Sequence, residues 1–189
     1  MIKGNDMIWE IERHDWSNLR AEGSASQIPH AIRELQAAAT ESEALAAYWK
    51  IDNTIVVQGQ VYQAALAAVP CLLGVLLRCP DAARRHVLEL LVQIGSGEVA
   101  ACEIELGEAD LVQRCLREIA RGLPIYVDII EHAANADECA FCVDLLGLSC
   151  GVDHGLRERV LWYFERVRVN ASFEGAQRLI RSWMEELNS

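Results

Sequence analysis

Apolar residues recur at helical spacing along almost the whole chain from residue 29 to residue 187. Polar or glycine-containing joints divide this pattern into nine predicted helices. They cover residues 29–39, 41–50, 60–77, 81–94, 109–121, 123–134, 137–150, 155–168 and 172–187. The joints are short and none reads as an interdomain linker, so we predict an all-α fold and a single domain over residues 1–189, with an irregular N-terminal segment at 1–27.

Two stretches of the chain share one order of features. In the first, Pro70 lies in an apolar helix, Asp81 follows 11 residues later, and a second apolar helix runs to Gly95. In the second, Pro124 is followed after 13 residues by Asp137, and the next helix runs to Gly147. A helical hairpin used more than once is typical of an α-solenoid, so we predict a short right-handed solenoid in which the two prolines are equivalent.

Two segments interrupt the helical pattern. Asp52, Asn53 and Thr54 are poor helix formers, and we expect the helix to break or bend there. The β-branched residues around 51–57 could form a strand, but a strand there would lack a partner, so we favour helix or irregular structure. Residues 96–108 are predicted to form an acidic loop.

The net charge of −11 is spread unevenly. No lysine or arginine occurs between Arg85 and Arg114 or between Arg121 and Arg157, and each of these windows contains six acidic residues. Such a field repels nucleic acid and attracts cationic partners, although plain solubility is the alternative explanation.

Neither a membrane span nor a secretory signal is expected. The longest mostly apolar run, residues 61–77, contains Gln63, Pro70 and Gly74 and is better explained as a buried helix. The first six residues lack an apolar segment, so we expect a cytoplasmic protein.

No motif predicts catalysis, a metal or a cofactor. Cys139 and Cys142 form a CxxC pair, but no second pair completes a tetrahedral site, and we expect both thiols to pack in the core. The five histidines are scattered, and the sequence contains no His-Glu-x-x-His, no GxSxG and no phosphate loop. We therefore expect a protein that is not an enzyme and that needs no cofactor.

The stretch from Pro70 through Leu73, Asp81 and Arg84-Arg85 to Gly95 resembles a HEAT repeat. In that family the proline bends the first helix, and the aspartate and arginine tie neighbouring repeats together. The second stretch keeps Pro124 and Asp137 but lacks the arginine pair, so the resemblance is to a degenerate form covering about residues 60–150.

Residues 47–62 are similar to a segment shared by small bacterial HEAT-like proteins. Several families of such acidic helical-repeat proteins serve as immunity proteins in interbacterial toxin systems. The resemblance implies binding and inhibition without catalysis.

Two groups of residues are the predicted partner-binding site. The first is the aromatic and polar patch around Trp49 and Asp52, whose side chains could instead satisfy backbone groups at a helix break. The second is the set of acids Glu98, Glu103, Glu105, Glu108 and Asp110.

We hypothesise a cytoplasmic immunity protein that occludes a basic toxin domain and binds neither nucleic acid nor membrane. The alternatives are a non-inhibitory scaffold and a helical-repeat enzyme such as a DNA glycosylase, and the acidic charge argues against the latter.

Overall fold

The computed structural model describes residues 9–132, 136–169 and 176–189. In these ranges the fold is all-α apart from one small sheet. The helices are α1 (Trp9–Glu12), α2 (Ile28–Ala37), α3 (Glu41–Ile55), α4 (Gln63–Leu76), α5 (Asp81–Ser96), α6 (Ala101–Glu105), α7 (Leu111–Ala120), α8 (Leu123–His132), α9 (Ala136–Cys150), α10 (Arg157–Arg168) and α11 (Gln177–Asn188). The strands are β1 (Val56–Val57), β2 (Gln60–Val61) and β3 (Glu98–Val99).

Helix α3 begins as the sequence predicts but ends later. The Thr40 side chain accepts a hydrogen bond from the Glu43 amide, and the Glu43 carboxylate accepts one from the Thr40 amide, so the two form a capping box. The predicted break at residues 52–54 is wrong, because all three residues are helical. The Thr54 hydroxyl donates to the Lys50 carbonyl one turn earlier at 2.8 Å, which lets the polar residue remain within the helix.

A three-stranded sheet occupies the region that the sequence analysis treats as partnerless. Strand β1 pairs with β2 in antiparallel register, and β2 pairs with β3 in parallel register. Gln58 and Gly59 form the connecting turn, and both have positive φ, at 52° and 80°. A two-residue turn with both φ values positive matches the right-handed twist of a hairpin. The predicted helix at 60–77 therefore starts only at Gln63, and the predicted loop at 96–108 contains β3 and α6.

Gly97 allows β3 to approach the hairpin. A Cβ atom at this position would lie 2.6 Å from a Val61 methyl group and 2.8 Å from the Gly59 carbonyl oxygen. No other residue fits this gap without moving the backbone. The sheet thus depends on a close contact between segments that are far apart in the sequence.

The helices pack in two rows of neighbours. In one row α3 contacts α5, and α5 contacts α9; in the other, α2 contacts α4, and α4 contacts α7. Contacts also join α2 to α3, α4 to α5, and α8 to α9. The buried apolar side chains form one continuous core that reaches from Ile11 to Ile180.

Two ion pairs join α5 to α9. Arg84 approaches Glu138 at 3.5 Å, and Arg85 approaches Asp137 at 3.6 Å. Arg84 also bonds Asp81 within its own helix at 2.6 Å. The charged residues of one hairpin therefore contact the start of the second helix of another.

The two prolines both lie on the first helix of a hairpin but at different places in it. Pro70 is in the interior of α4, which continues through it, whereas Pro124 is the second residue of α8. A proline in the first turn removes an amide that has no intrahelical partner. The structural equivalence of Pro70 and Pro124 remains a prediction that superposition of the two hairpins can test.

Helix α11 docks on α9 through Trp183. The indole nitrogen of Trp183 donates to Asp144 at 2.8 Å, and the ring lies directly over Gly147. A Cβ atom at position 147 would lie 2.3 Å from the ring, so the docking needs a glycine there.

We expect Gly147→Ala to lower the free energy of unfolding by about 2 kcal/mol, because the added methyl group overlaps the Trp183 ring. Urea unfolding followed by circular dichroism measures the loss. The double variant Gly147→Ala/Trp183→Ala is the control: it should be more stable than the sum of the two single losses. Strict additivity would show that the clash does not govern docking.

Candidate functional site

The structure separates the seven predicted site residues. Trp49 and Asp52 lie on α3, whereas Glu98 lies on β3 and lines a separate polar pocket. Glu103, Glu108 and Asp110 belong to an ion-paired cluster around α6 and α7. Glu105 is exposed at the end of α6. The predicted acidic set is therefore not one surface.

Glu103 is a structural residue, and its predicted role in partner binding is wrong because its side chain is completely buried. Its Oε2 atom accepts bonds from Arg20 Nε at 2.8 Å and Arg20 Nη2 at 2.6 Å. Its Oε1 atom accepts a bond from the Gln63 amide at 3.0 Å, in the first turn of α4. A carboxylate at this place satisfies a helix-terminal amide and complements the helix dipole. The hydrogen bond to Glu103 raises the pKa of Arg20.

Arginine side chains that lie outside residues 86–113 in the sequence pair with acids inside that stretch. Arg114 bonds Glu108 and lies 3.7 Å from Asp110, and Arg20 lies 3.5 Å from Glu108. Across the described residues, Glu98 and Glu105 form no ion pair. A stretch of sequence that contains no lysine or arginine can therefore still have arginine side chains next to it in the folded protein.

A second polar cluster lies between α3 and α5, and we call it the α3–α5 seam. It consists of Tyr48 and Asp52 from α3 and His86, Glu89 and Gln93 from α5. Residues three and four positions apart share a helix face, so each helix turns its members toward the other.

Hydrogen bonds and ring contacts hold the seam together. Gln93 Nε2 donates to the Tyr48 hydroxyl at 2.6 Å. His86 Nε2 lies 2.9 Å from a carboxylate oxygen of Glu41, at the start of α3, and its ring is 5.4 Å from the Tyr48 ring. These contacts fix the positions of the tyrosine and the histidine.

Asp52 is the least satisfied group of the seam. Only 8% of the residue is exposed, and its buried Oδ1 atom accepts no hydrogen bond from any described residue. Burial raises the pKa of Asp52, the nearby Glu89 charge raises it further, and Tyr48 opposes the rise. Burial and the same two carboxylates also raise the pKa of Tyr48. His86 Nδ1 is likewise buried without a hydrogen-bond partner among the described residues, and Glu89 lies 4.0 Å from it. The seam therefore has unused capacity for hydrogen bonds.

Apolar side chains border the seam on the solvent side. Trp49 is 49% exposed and packs edge-on against Tyr48 with the ring centroids 5.0 Å apart. Leu45, one turn earlier on the same helix, is also exposed. A half-exposed tryptophan is among the side chains that the centres of protein interfaces use most often.

A polar pocket of about 600 Å³ adjoins the seam at Gln93. Its lining residues are Gln58, Gly59, Gln60, Gln93, Ser96, Gly97 and Glu98. Carboxamides and one carboxylate can accept hydrogen bonds from a cationic or amide-bearing group. Gln93 links this pocket to the seam, because it lines the pocket and bonds the Tyr48 hydroxyl.

Sequence reasoning missed His86, Glu89 and Gln93. Their spacing places them on one face of α5, which the sequence could have indicated. The sequence did not show that this face meets α3, because that depends on how the helices pair. That pairing is a tertiary contact, which the local sequence does not reveal. In the sequence these three residues look like ordinary polar positions of an amphipathic helix.

The CxxC pair behaves as the sequence analysis expects. Cys139 and Cys142 are both fully buried in the core, and burial raises the pKa of each thiol, which keeps them protonated. Within the ranges described, no three His, Cys, Asp or Glu side chains are grouped to hold a metal ion.

Comparisons with known protein families, curated proteins and solved structures find no match to this chain. Among the helices in the described ranges, none combines the length and apolar character needed to cross a bilayer.

We expect Glu103→Gln to lower the free energy of unfolding by about 2–4 kcal/mol, because it weakens the bonds to Arg20 and the cap of α4. Urea unfolding provides the measurement. Glu105→Gln, two residues away and exposed, is the matched control and should change stability by less than about 0.5 kcal/mol. Equal losses of unfolding free energy in the two variants would mean that the bonds of Glu103 do not stabilise the fold.

We expect Asp52→Asn to raise the free energy of unfolding at neutral pH. The pKa of Asp52 is higher in the folded than in the unfolded chain, so its carboxylate form destabilises the native state. The gain should be complete above the folded pKa and should disappear as the pH falls below the unfolded value of about 3.9.

Unfolding curves measured from pH 3 to pH 7 test this sign, with the exposed Asp128→Asn as control. A loss of stability in Asp52→Asn at neutral pH would contradict it.

Proposed function

We propose that the protein is an immunity protein that binds a basic toxin domain through the α3–α5 seam and the residues bordering it. One observation carries the proposal. Asp52 is buried with an unpartnered oxygen beside the half-exposed Trp49, and within the described ranges neither Asp52 nor Glu89 has a lysine or arginine partner. Such a surface is complementary to a cationic protein surface.

A HEAT-like solenoid is the architecture that we propose for presenting this face. The two rows of helices support it, as do the bonds from Arg84 and Arg85 of one hairpin to Glu138 and Asp137 of another. Successive second helices of the hairpins, α3, α5 and α9, would form a continuous surface. A surface built from several repeats suits binding of a folded partner.

The set of contact residues that we propose is smaller than the sequence suggests. Trp49, Asp52 and Glu98 form its centre, and Glu105 contributes only long-range charge. Glu108 and Asp110 are paired with arginines, and Glu103 is buried. The net charge of −11 supplies the attraction that brings a basic partner to this face.

The mechanism we propose is occlusion without catalysis. The helical face would cover the basic active site of the toxin, such as the surface with which a nuclease grips phosphates. A toxin of this kind must carry the opposite charge to its nucleic-acid substrate, so an acidic protein competes for the same residues. The scaffold hypothesis predicts binding of a partner that is not toxic.

Gene neighbourhood and a toxicity assay test the function. A gene immediately upstream should encode a large secreted protein with a variable C-terminal domain. That domain expressed alone should stop growth, and co-expression of this protein should restore it. A bound partner that is harmless on its own would favour the scaffold and reject the immunity function.

We expect Glu98→Gln/Glu105→Gln to slow association with the toxin domain several-fold and to flatten its dependence on salt, because both acids are unpaired and exposed. Stopped-flow measurement at low and high salt gives both quantities. The control Glu108→Gln/Asp110→Asn removes the same formal charge from acids paired to Arg114, so it should slow association less. An equal slowing by both pairs would show that only net charge matters.

A further inference from the structure

We propose that copies of this chain associate with one another, the outer face of α10 in one copy packing against the exposed turn at the end of α6 in another. The first surface, which we call the α10 face, is the exposed stripe Arg159, Trp162, Arg166 and Val169. The second, which we call the α6 turn, is the exposed segment 104–106. The contact goes beyond the proposed function and uses no residue of α3 or α5.

The α10 face is built on stacked guanidinium and aromatic groups. The guanidinium carbon of Arg166 lies 4.7 Å from the centroid of the Trp162 ring. Arg159 lies 5.6 Å from the Tyr163 ring centroid and donates from Nε to the Tyr163 hydroxyl at 3.0 Å. The two rings meet edge to face with their centroids 5.5 Å apart. Because the stack already holds both arginines, they lose little conformational freedom when a partner binds.

Neither arginine of the α10 face has a carboxylate partner. Arg168, on the same helix, pairs with Glu165 at 2.7 Å, but within the described residues no acid pairs with Arg159 or Arg166. Stacking occupies the planar side of a guanidinium and leaves most of its N–H donors free to bond a carboxylate. The α10 face is therefore complementary to an acid.

Apolar surface accompanies these charges. Trp162 is 55% exposed, and Val169, two turns later on the same side of the chain, is 71% exposed. Tryptophan and arginine are both enriched at the centres of protein interfaces. The α10 face therefore fits a partner that presents apolar side chains beside an acid.

The α6 turn has this combination. Ile104 and Leu106 are 52% and 61% exposed, and Glu105 stands between them in the sequence. Among the described residues Glu105 has no ion-pair partner. The buried carboxylate of Glu103 anchors the turn through its bonds to Arg20, so its shape is set before a partner arrives. One chain thus carries both a basic apolar face and an acidic apolar complement to it.

The net charge of −11 on each copy opposes association at long range. This repulsion is screened at physiological ionic strength, where the Debye length is about 8 Å, whereas ion pairs in direct contact are screened much less. Both surfaces are small, so the association belongs to the weak class of protein contacts.

Sedimentation velocity of the full chain over a concentration series tests the association, at a salt concentration of about 0.15 M. We expect the sedimentation coefficient to rise with concentration and to give a dissociation constant between about 1 μM and 1 mM. A chain that stays monomeric throughout this range would overturn the inference. So would a monomer that instead binds an oligonucleotide or an anionic lipid vesicle through Trp162.

Two matched double variants locate the contact, since each removes one apolar side chain and one charge. Trp162→Ala/Arg166→Gln alters the α10 face, Ile104→Ser/Glu105→Gln alters the α6 turn, and each should weaken association at least about tenfold. All four positions are exposed, so both variants are expected to fold. The control Leu77→Ser changes an equally exposed apolar residue outside both surfaces and should associate like the unaltered chain.

Mixing the two double variants tests which surfaces meet. The mixture contains one intact α10 face and one intact α6 turn on different chains, so association should return although neither variant associates alone. A contact between two α10 faces would leave the α6 variant associating normally and the mixture without recovery. Either of these results would overturn the inference.

Discussion

The burial of one carboxylate, Glu103, determines how the N-terminal half of the protein is assembled. It holds Arg20 of the N-terminal segment and the first turn of α4 at the same time. Since Glu103 is in α6, directly after β3, these bonds also fix where β3 lies. Strand β3 then pairs with β2 and holds the hairpin that follows α3. The pocket at Gln93 is framed by this hairpin, so the geometry of the candidate site depends on a residue outside it.

The bonds between Glu103 and Arg20 also change the interpretation of the acidic stretch between Arg85 and Arg114. Arg20 reaches Glu103 across 83 positions of the sequence. An inspection of neighbouring residues in the chain counts Glu103 as surface acid, although it is completely buried. Within the described residues, Asp52, Glu89 and Glu98 are among the acids that have no lysine or arginine partner, as are exposed acids elsewhere, such as Glu105 and Glu158.

Local signals were sufficient for much of the fold. The start of α3 at Glu41, the start of α5 at Asp81 and the burial of Cys139 and Cys142 follow from short-range patterns, and the structure confirms them. The third strand of the sheet, β3, is supplied from position 98, and no local pattern announces such a distant partner for β2. The site divides in the same way: Trp49 and Asp52 could be named from the sequence, but His86, Glu89 and Gln93 required the pairing of α3 with α5.

Two buried acids of this protein, Glu103 and Asp52, differ in how far hydrogen bonds compensate for their burial, and this difference bears on their roles. Glu103 accepts three hydrogen bonds, so its desolvation is offset within the chain and the residue stabilises the fold. Asp52 keeps an unpartnered Oδ1 atom and a raised pKa, so the hydrogen bond with Tyr48 offsets its desolvation only in part. A sequence under selection for stability alone would replace such a group, and natural proteins retain unfavourable groups mainly where function needs them. Under the proposed function, a cationic partner would remove this penalty on binding, and the energy withheld from folding would then contribute to affinity and to selectivity for a basic surface.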